Sequence, residues 1–132
     1  MIDRARLSSL LAAEQKRFAA GHPRSRELFL RARKSLLGGV PMNWMVRSPG
    51  AFPLFVRNAE GAHFTDADGL RYLDLCLGDT GAMTGHAPAA AVEAVIAQAR
   101  RGITFHLPTA DAIAVGIELA VGCGLPSWPA DA

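Results

Sequence analysis

The stretch "GAHFTDADGLRYLD", residues 61–74, sets the reading of the whole chain. Two short runs that alternate apolar with polar residues, 62–65 and 71–76, flank Asp66-Ala67-Asp68-Gly69. Alternation with period two marks strands with one buried face. Aspartates accept backbone hydrogen bonds in a tight turn, and Gly69 supplies a positive φ. Upstream, Leu54 and Val56 open a further strand, and Asn58-Ala59-Glu60-Gly61 reads as the turn that ends it. The outcome is a small antiparallel meander. Three short strands are marginal alone, so this meander must pack on helices.

Helices flank it on both sides. Residues 4–20 carry Leu7, Leu10, Leu11 and Phe18 at near-helical spacing, and Gly21 stops them. After the break at His22-Pro23, Ser25 reads as an N-cap with Glu27 in the favourable first turn. Leu28, Phe29, Ala32, Leu36 and Leu37 make the apolar stripe of this second helix, and Gly38-Gly39 closes it. Residues 41–51 have no period and read as a loop, yet contain Trp44, Met45 and Arg47. Beyond the meander, Pro88 suits the first turn of a helix whose inner face is Ala91, Val92, Val95 and Ile96. Arg100-Arg101 complement its C-terminal dipole and Gly102 ends it. Thr109 caps a last helix, with Asp111 in its first turn and Ile113, Ile117, Leu119 and Ala120 inside. A turn-rich tail follows at residues 125–129.

The chain has 132 residues, 50% of them hydrophobic and 20% charged, which is globular rather than disordered composition. No apolar run reaches the roughly 18–20 residues of a membrane helix, and the N-terminus lacks the pattern of a secretory signal. Cys76 and Cys123 are too few for a disulfide framework, so a reduced, cytoplasmic setting is expected. Residues 1–34 hold nine Lys or Arg against three acids, and residues 35–132 hold five against nine. With no aromatic residues interleaved for stacking bases, this basic arm reads as a solvated helix face or an arm lying on an acidic partner subunit, not as a nucleic-acid or membrane binder.

The glycine-rich segment "LGDTGAMTGHAP", residues 77–88, is the most unusual stretch. It is neither of the common phosphate loops: His86 stands where a P-loop needs lysine, and the glycine spacing is not that of a dinucleotide fingerprint. Asp79 and His86 are too few for a metal site, with His63 and His106 in other elements. Asp66 and Asp68 are accounted for by turn chemistry, and His86 by bracing the helix after it. No nucleophile elbow is present. The residues alone lead to an α/β globular unit with an odd glycine loop.

The order of three blocks adds more. "SLLGGVPMNW", "FPLFVRNAEGAHFTDADGLRYLDLCLG" and "GHAPAAAVEAVIAQARRGITFHLPT" in register resemble the N-terminal part of class III, pyridoxal-phosphate-dependent aminotransferases. The subgroup is similar to glutamate-1-semialdehyde aminomutases and β-amino-acid aminotransferases, and the resemblance runs from about Ser25 to Trp128. It implies an incomplete α/β chain: the N-terminal part of a fold-type I transferase, with N-terminal helices, a small antiparallel meander and two further helices. The implied division is a helical arm at 1–39, a small-domain meander and helix with substrate-side loops at 40–106, and the start of a large cofactor-binding domain at 107–132.

The resemblance further implies a homodimeric parent that uses pyridoxal 5'-phosphate to move an amino group between small amino and keto compounds. Some relatives hold the substrate carboxylate with an arginine in the loop after the second helix. Counted back from Phe52-Pro53-Leu54, that position is Trp44 here, with Arg47 close by. The resemblance also places the glycine loop beside the cofactor and substrate, with Asp79 at a pocket position that is aromatic in some relatives and Thr80 next to it on the substrate side. The Schiff-base lysine of the family lies downstream, and the two lysines present, Lys16 and Lys34, both precede the meander. The expectations are therefore an inactive N-terminal fragment of a class III aminotransferase that does not hold the cofactor alone, a truncated remnant that associates with a full-length paralogue, or part of a glutamate-1-semialdehyde 2,1-aminomutase.

Overall fold

A computed structural model describes residues 3–124, so the tail read at residues 125–129 lies outside the described residues. Helix α1 spans Arg4–Gly21 and is capped by Asp3, whose Oδ1 accepts the N–H groups of Ala5 and Arg6 at 3.0 Å each. Helix α2 spans Pro23–Ala32. Two 3-10 turns follow: Leu37–Gly39, where the sequence carried the second helix on to Leu37, and Asn43–Val46, inside the stretch read as an aperiodic loop. The strands are β1 (Val56–Glu60), β2 (His63–Asp66) and β3 (Arg71–Leu73). Helices α3 (Ala89–Ala99) and α4 (Ala110–Gly122) complete the chain.

The meander is as expected: strand order β1-β2-β3, with both pairs antiparallel. Its first turn is not where turn propensity put it. Asn58, Ala59 and Glu60 belong to β1 and pair with Thr65, Phe64 and His63, which leaves Gly61-Ala62 as a two-residue loop. Cross-strand pairing overrides the turn preference of a single Asn. The second turn keeps its assignment. Asp66 Oδ1 accepts the N–H groups of Asp68 and Leu70 at 2.9 and 2.8 Å, and Gly69 takes φ +87°. Phe64 and Tyr72 stack across β2 and β3 with centroids 5.0 Å apart.

Ser25 is not an N-cap. Pro23, with φ preset for helix, begins α2 two residues earlier, and Ser25 is fully buried inside the first turn. The cap comes from the meander. Asp68 accepts the N–H of Arg24 at 2.7 Å and of Ser25 at 3.0 Å, so the hairpin turn satisfies the open donors of a helix more than forty residues away. The buried Ser25 hydroxyl receives the Phe55 N–H instead.

By contact density the chain divides into a unit up to Val92 and one from Glu93 onward, a boundary that falls inside α3. In the first unit, Val40 and Phe52 are the buried apolar side chains among the described residues, and Phe18 packs on Phe52 at 5.0 Å. In the second, Gly102 turns the chain after α3 at φ +102°, and Gln98 bridges the Gly102 carbonyl and Arg101. Thr109 stands at the N-cap of α4, but its hydroxyl makes no capping bond. The face read as inner on α3 is not buried, and the apolar face of α4 is open as well: no residue of either helix is buried, and Ile113 is 69% exposed. Helical spacing locates the apolar stripe, but the stripe has no cover among the described residues.

Candidate functional site

A cleft of about 750 Å³ lies between α1 and residues 39–56. Leu11, Glu14 and Phe18, at spacings of three and four, bring one face of α1 to it. The Asn43–Val46 turn and the residue that caps it place Trp44 and Arg47 on the opposite wall, both exposed to solvent. The lining is apolar except for a few groups, chief among them the Arg47 guanidinium and the Glu14 carboxylate. A cleft of this kind suits a small molecule with a carbon skeleton and a carboxylate, since arginine can hold a carboxylate through two parallel hydrogen bonds. Asp79 and Thr80 do not line it. They sit in the loop after β3, exposed, both at positive φ. The structure therefore brings Trp44 and Arg47 together and leaves Asp79 and Thr80 in a second place.

The cleft's floor is tied to the meander by a buried polar cluster that the sequence did not reveal. His22 Nδ1 lies 2.6 Å from the Phe18 carbonyl at the end of α1, and Nε2 lies 2.6 Å from the Tyr72 hydroxyl. The Tyr72 hydroxyl donates to Asp66 Oδ2 at 3.1 Å, and His22 Nε2 is 3.6 Å from the same oxygen. Hydrogens can be counted along this chain. A carbonyl only accepts, so Nδ1 carries the hydrogen that meets Phe18, and the Tyr72 hydroxyl stands between the His22 ring and the Asp66 carboxylate. Burial, then the Asp66 hydrogen bond and charge, push the Tyr72 hydroxyl up to about 12. Burial alone would raise the Asp68 carboxyl. The Arg24 and Ser25 amides, the Ser25 hydroxyl and the charge of His22 outweigh it and hold Asp68 below the usual carboxylate value.

The glycine loop is held by a second pair. His86 Nε2 lies 2.6 Å from Asp74 Oδ2, and the other Asp74 oxygen accepts the N–H groups of Cys76 and Leu77 at 2.9 Å each. The His86 side chain first, then the Leu77 amide, hold the Asp74 carboxyl below its ordinary value. His86 thus grips the end of β3 rather than bracing α3, and its backbone exchanges two hydrogen bonds with Gly61. Gly85 is needed for that contact: it has φ +89°, and a Cβ there would lie 3.2 Å from the Gly61 Cα. Among the described residues, no three of His, Cys, Asp or Glu are placed to hold a metal ion. No described helix is long and apolar enough to cross a membrane.

Known proteins share both sequence and shape with this chain. It is 46% identical over 85 residues to a glutamate-1-semialdehyde 2,1-aminomutase of Cenarchaeum symbiosum, covering 64% of this chain and 20% of that protein. The crystal structure of a glutamate-1-semialdehyde-aminomutase from Pseudomonas aeruginosa PAO1 superposes with a TM-score of 0.89 at 48% identity, over 96% of this chain and 28% of the other. A variant of that enzyme was solved in complex with PMP with the same TM-score. An omega-transaminase from Sphaerobacter thermophilus gives 0.68 at 36% identity, over 74% of this chain and 22% of the other. The chain matches no established family profile. It spans 20% to 28% of the length of the first two relatives, and its helices and meander have the architecture of the N-terminal part of a pyridoxal-phosphate-dependent transferase.

Proposed function

Starting from a chain that belongs with the class III pyridoxal-phosphate-dependent aminotransferases, we propose that it forms the substrate-side wall of an amino-transfer site in a protein of its relatives' length. The observation that carries this reading is the superposition of 96% of the chain on the Pseudomonas aeruginosa enzyme at 48% identity. On the proposed reading, Arg47 holds the carboxylate of an amino or keto acid, and Trp44 packs on the carbon skeleton beside it. Asp79 and Thr80, on the glycine loop, belong to a further wall of the same site. The domain division is residues 1–39 as a helical arm, 40–106 as the small-domain wall, and 107–132 as the entry to the large domain. The parent is a homodimer.

The residues present do not fit the cofactor by themselves. Pyridoxal phosphate supplies an electron sink for the carbanion formed at the amino-bearing carbon, and it needs a lysine to hold and reprotonate it. Neither Lys16 nor Lys34 lines the cleft. The lysine is therefore assigned to the remainder of the parent, and no catalytic step is derived through this chain. A second reading, in which the parent moves the amino group within one molecule as a glutamate-1-semialdehyde 2,1-aminomutase, is favoured by the 46% identical relative of that name.

The test uses both lengths. The 132-residue chain with added pyridoxal phosphate and an amino donor is expected to show no turnover. The parent is expected to be active and to lose about 10- to 100-fold in kcat/KM on Arg47→Ala, the range of one hydrogen bond to a charged group. Unchanged kinetics for that variant with carboxylate-bearing substrates would remove Arg47 from the site.

A further inference from the structure

Residues 75–85 form the one strongly strained segment among the described residues. All four non-glycine residues with positive φ, Leu77 (51°), Asp79 (55°), Thr80 (75°) and Ala87 (50°), fall inside or just beyond it. That region of backbone space is costly for side chains with a Cβ, and Thr80 is β-branched. Such strain persists only where the surroundings enforce it. Packing among the described residues does not enforce it, because Leu75 and Met83 are 86% and 76% exposed. Hydrogen bonds within the segment are local turns: Asp79 N–H to Cys76, Gly81 to Gly78, Ala82 to Leu77 and Gly85 to Ala82.

What spans the mouth is Asp74 and His86. One carboxylate oxygen starts the loop by accepting the Cys76 and Leu77 amides; the other meets the His86 ring at 2.6 Å, twelve residues on. Both residues are anchored behind the mouth, Asp74 by its N–H to the Ala62 carbonyl and His86 by its paired bonds to Gly61. The groups that face Asp74 are the His86 ring and these two amides; no other charged side chain is bonded to it among the described residues.

We propose that the Asp74–His86 hydrogen bond is a latch that keeps residues 75–85 in a strained, closed conformation, and that breaking it opens this segment while the meander stays folded. The latch requires the ionised Asp74, so it is in force above the ordinary carboxylate range and is lost as pH falls through the lowered value of Asp74. The inference goes beyond the amino-transfer reading and does not rest on it, because it is read on the chain without any ligand.

Amide hydrogen exchange on the full 132-residue chain tests it. Asp74→Asn and His86→Gln are each expected to speed exchange across residues 75–85 about tenfold, the order expected for one lost charge-assisted hydrogen bond. The double variant should match either single, because one bond is lost in all three. Exchange in β1 and β2 should stay as it was. In the unaltered chain the loop should open at acid pH before the meander does, a step missing from Asp74→Asn. Thr80→Gly, with the latch intact, should slow loop exchange by relieving strain. The proposal is overturned by unchanged loop exchange in both single variants. It is equally overturned by loop and meander opening together, by additive effects in the double variant, or by faster loop exchange in Thr80→Gly.

Discussion

Two histidine–aspartate pairs hold the first unit together, and they are built differently. His22 and Asp66 stand 3.6 Å apart with the Tyr72 hydroxyl bonded to both, and both are buried. His86 and Asp74 meet directly at 2.6 Å in a partly buried position, with their side chains 21% and 13% exposed. The buried pair closes a circuit between elements: His22 sits in the α1–α2 corner, Asp66 and Tyr72 in the meander, and Asp68 next door caps α2. The direct pair closes one loop on itself. With Val40 and Phe52 as the buried apolar side chains, polar groups do much of the joining in this unit. The same two residue types join distant elements where a tyrosine stands between them and close a single loop where they meet directly.

Breaking the foundation should have the largest effect. Asp66→Ala strands two backbone donors, the Tyr72 hydroxyl and the His22 ring, and breaking a buried pair costs about 3–5 kcal/mol. For a unit with so little apolar core, we expect loss of the fold, seen as collapse of amide shift dispersion in the meander. Tyr72→Phe removes the link but keeps the His22 and Asp66 side chains. The expected loss is about 1–3 kcal/mol by thermal melting, the cost of unsatisfied buried groups. The two pairs also separate by pH. The neutral Tyr72 hydroxyl stabilises the fold fully below its ordinary value of 10.0, and that contribution is lost as pH rises through about 12. Asp68 and Asp74 are depressed, so their contribution is present above the usual carboxylate range and is lost as pH falls through their lowered values. A circular-dichroism pH scan should therefore show an alkaline limb that Tyr72→Phe removes and an acid limb that it leaves in place. The smallest effect belongs to the strained loop. Thr80→Gly trades positive-φ strain for backbone entropy, with an expected net gain of about 1 kcal/mol in a denaturant midpoint series.

What could be read in advance was local. Period-two alternation and the Asp66–Gly69 turn fall within a dozen residues, so the meander's second hairpin was legible. The helices were legible from their spacing. Three things were not, each for a physical reason. Ser25 looked like a cap because its type suits one, but the capping carboxylate, Asp68, arrives from the hairpin. Asn58 looked like a turn because its preference is local, while its partner Thr65 is across the sheet. The stripe on α3 was read as an inner face, yet a stripe shows only where apolar side chains lie, not what covers them. Of the site, Trp44 and Arg47 were singled out as costly residues for a plain loop, and the cleft holds both. His22 read only as a break between helices, and the Asp74–His86 pair only as a strand end and a helix brace, because each bond spans residues too far apart for any periodic signal.

On the proposed reading, this chain contributes a substrate-side wall and not the cofactor-holding lysine. The most direct measurement is to incubate the 132-residue chain with pyridoxal phosphate, reduce with borohydride, and map the modified lysines by mass spectrometry. The expected result is slow, partial labelling spread over Lys16 and Lys34 and no amino transfer. Stoichiometric modification of one lysine, accompanied by turnover of an amino donor before reduction, would contradict it.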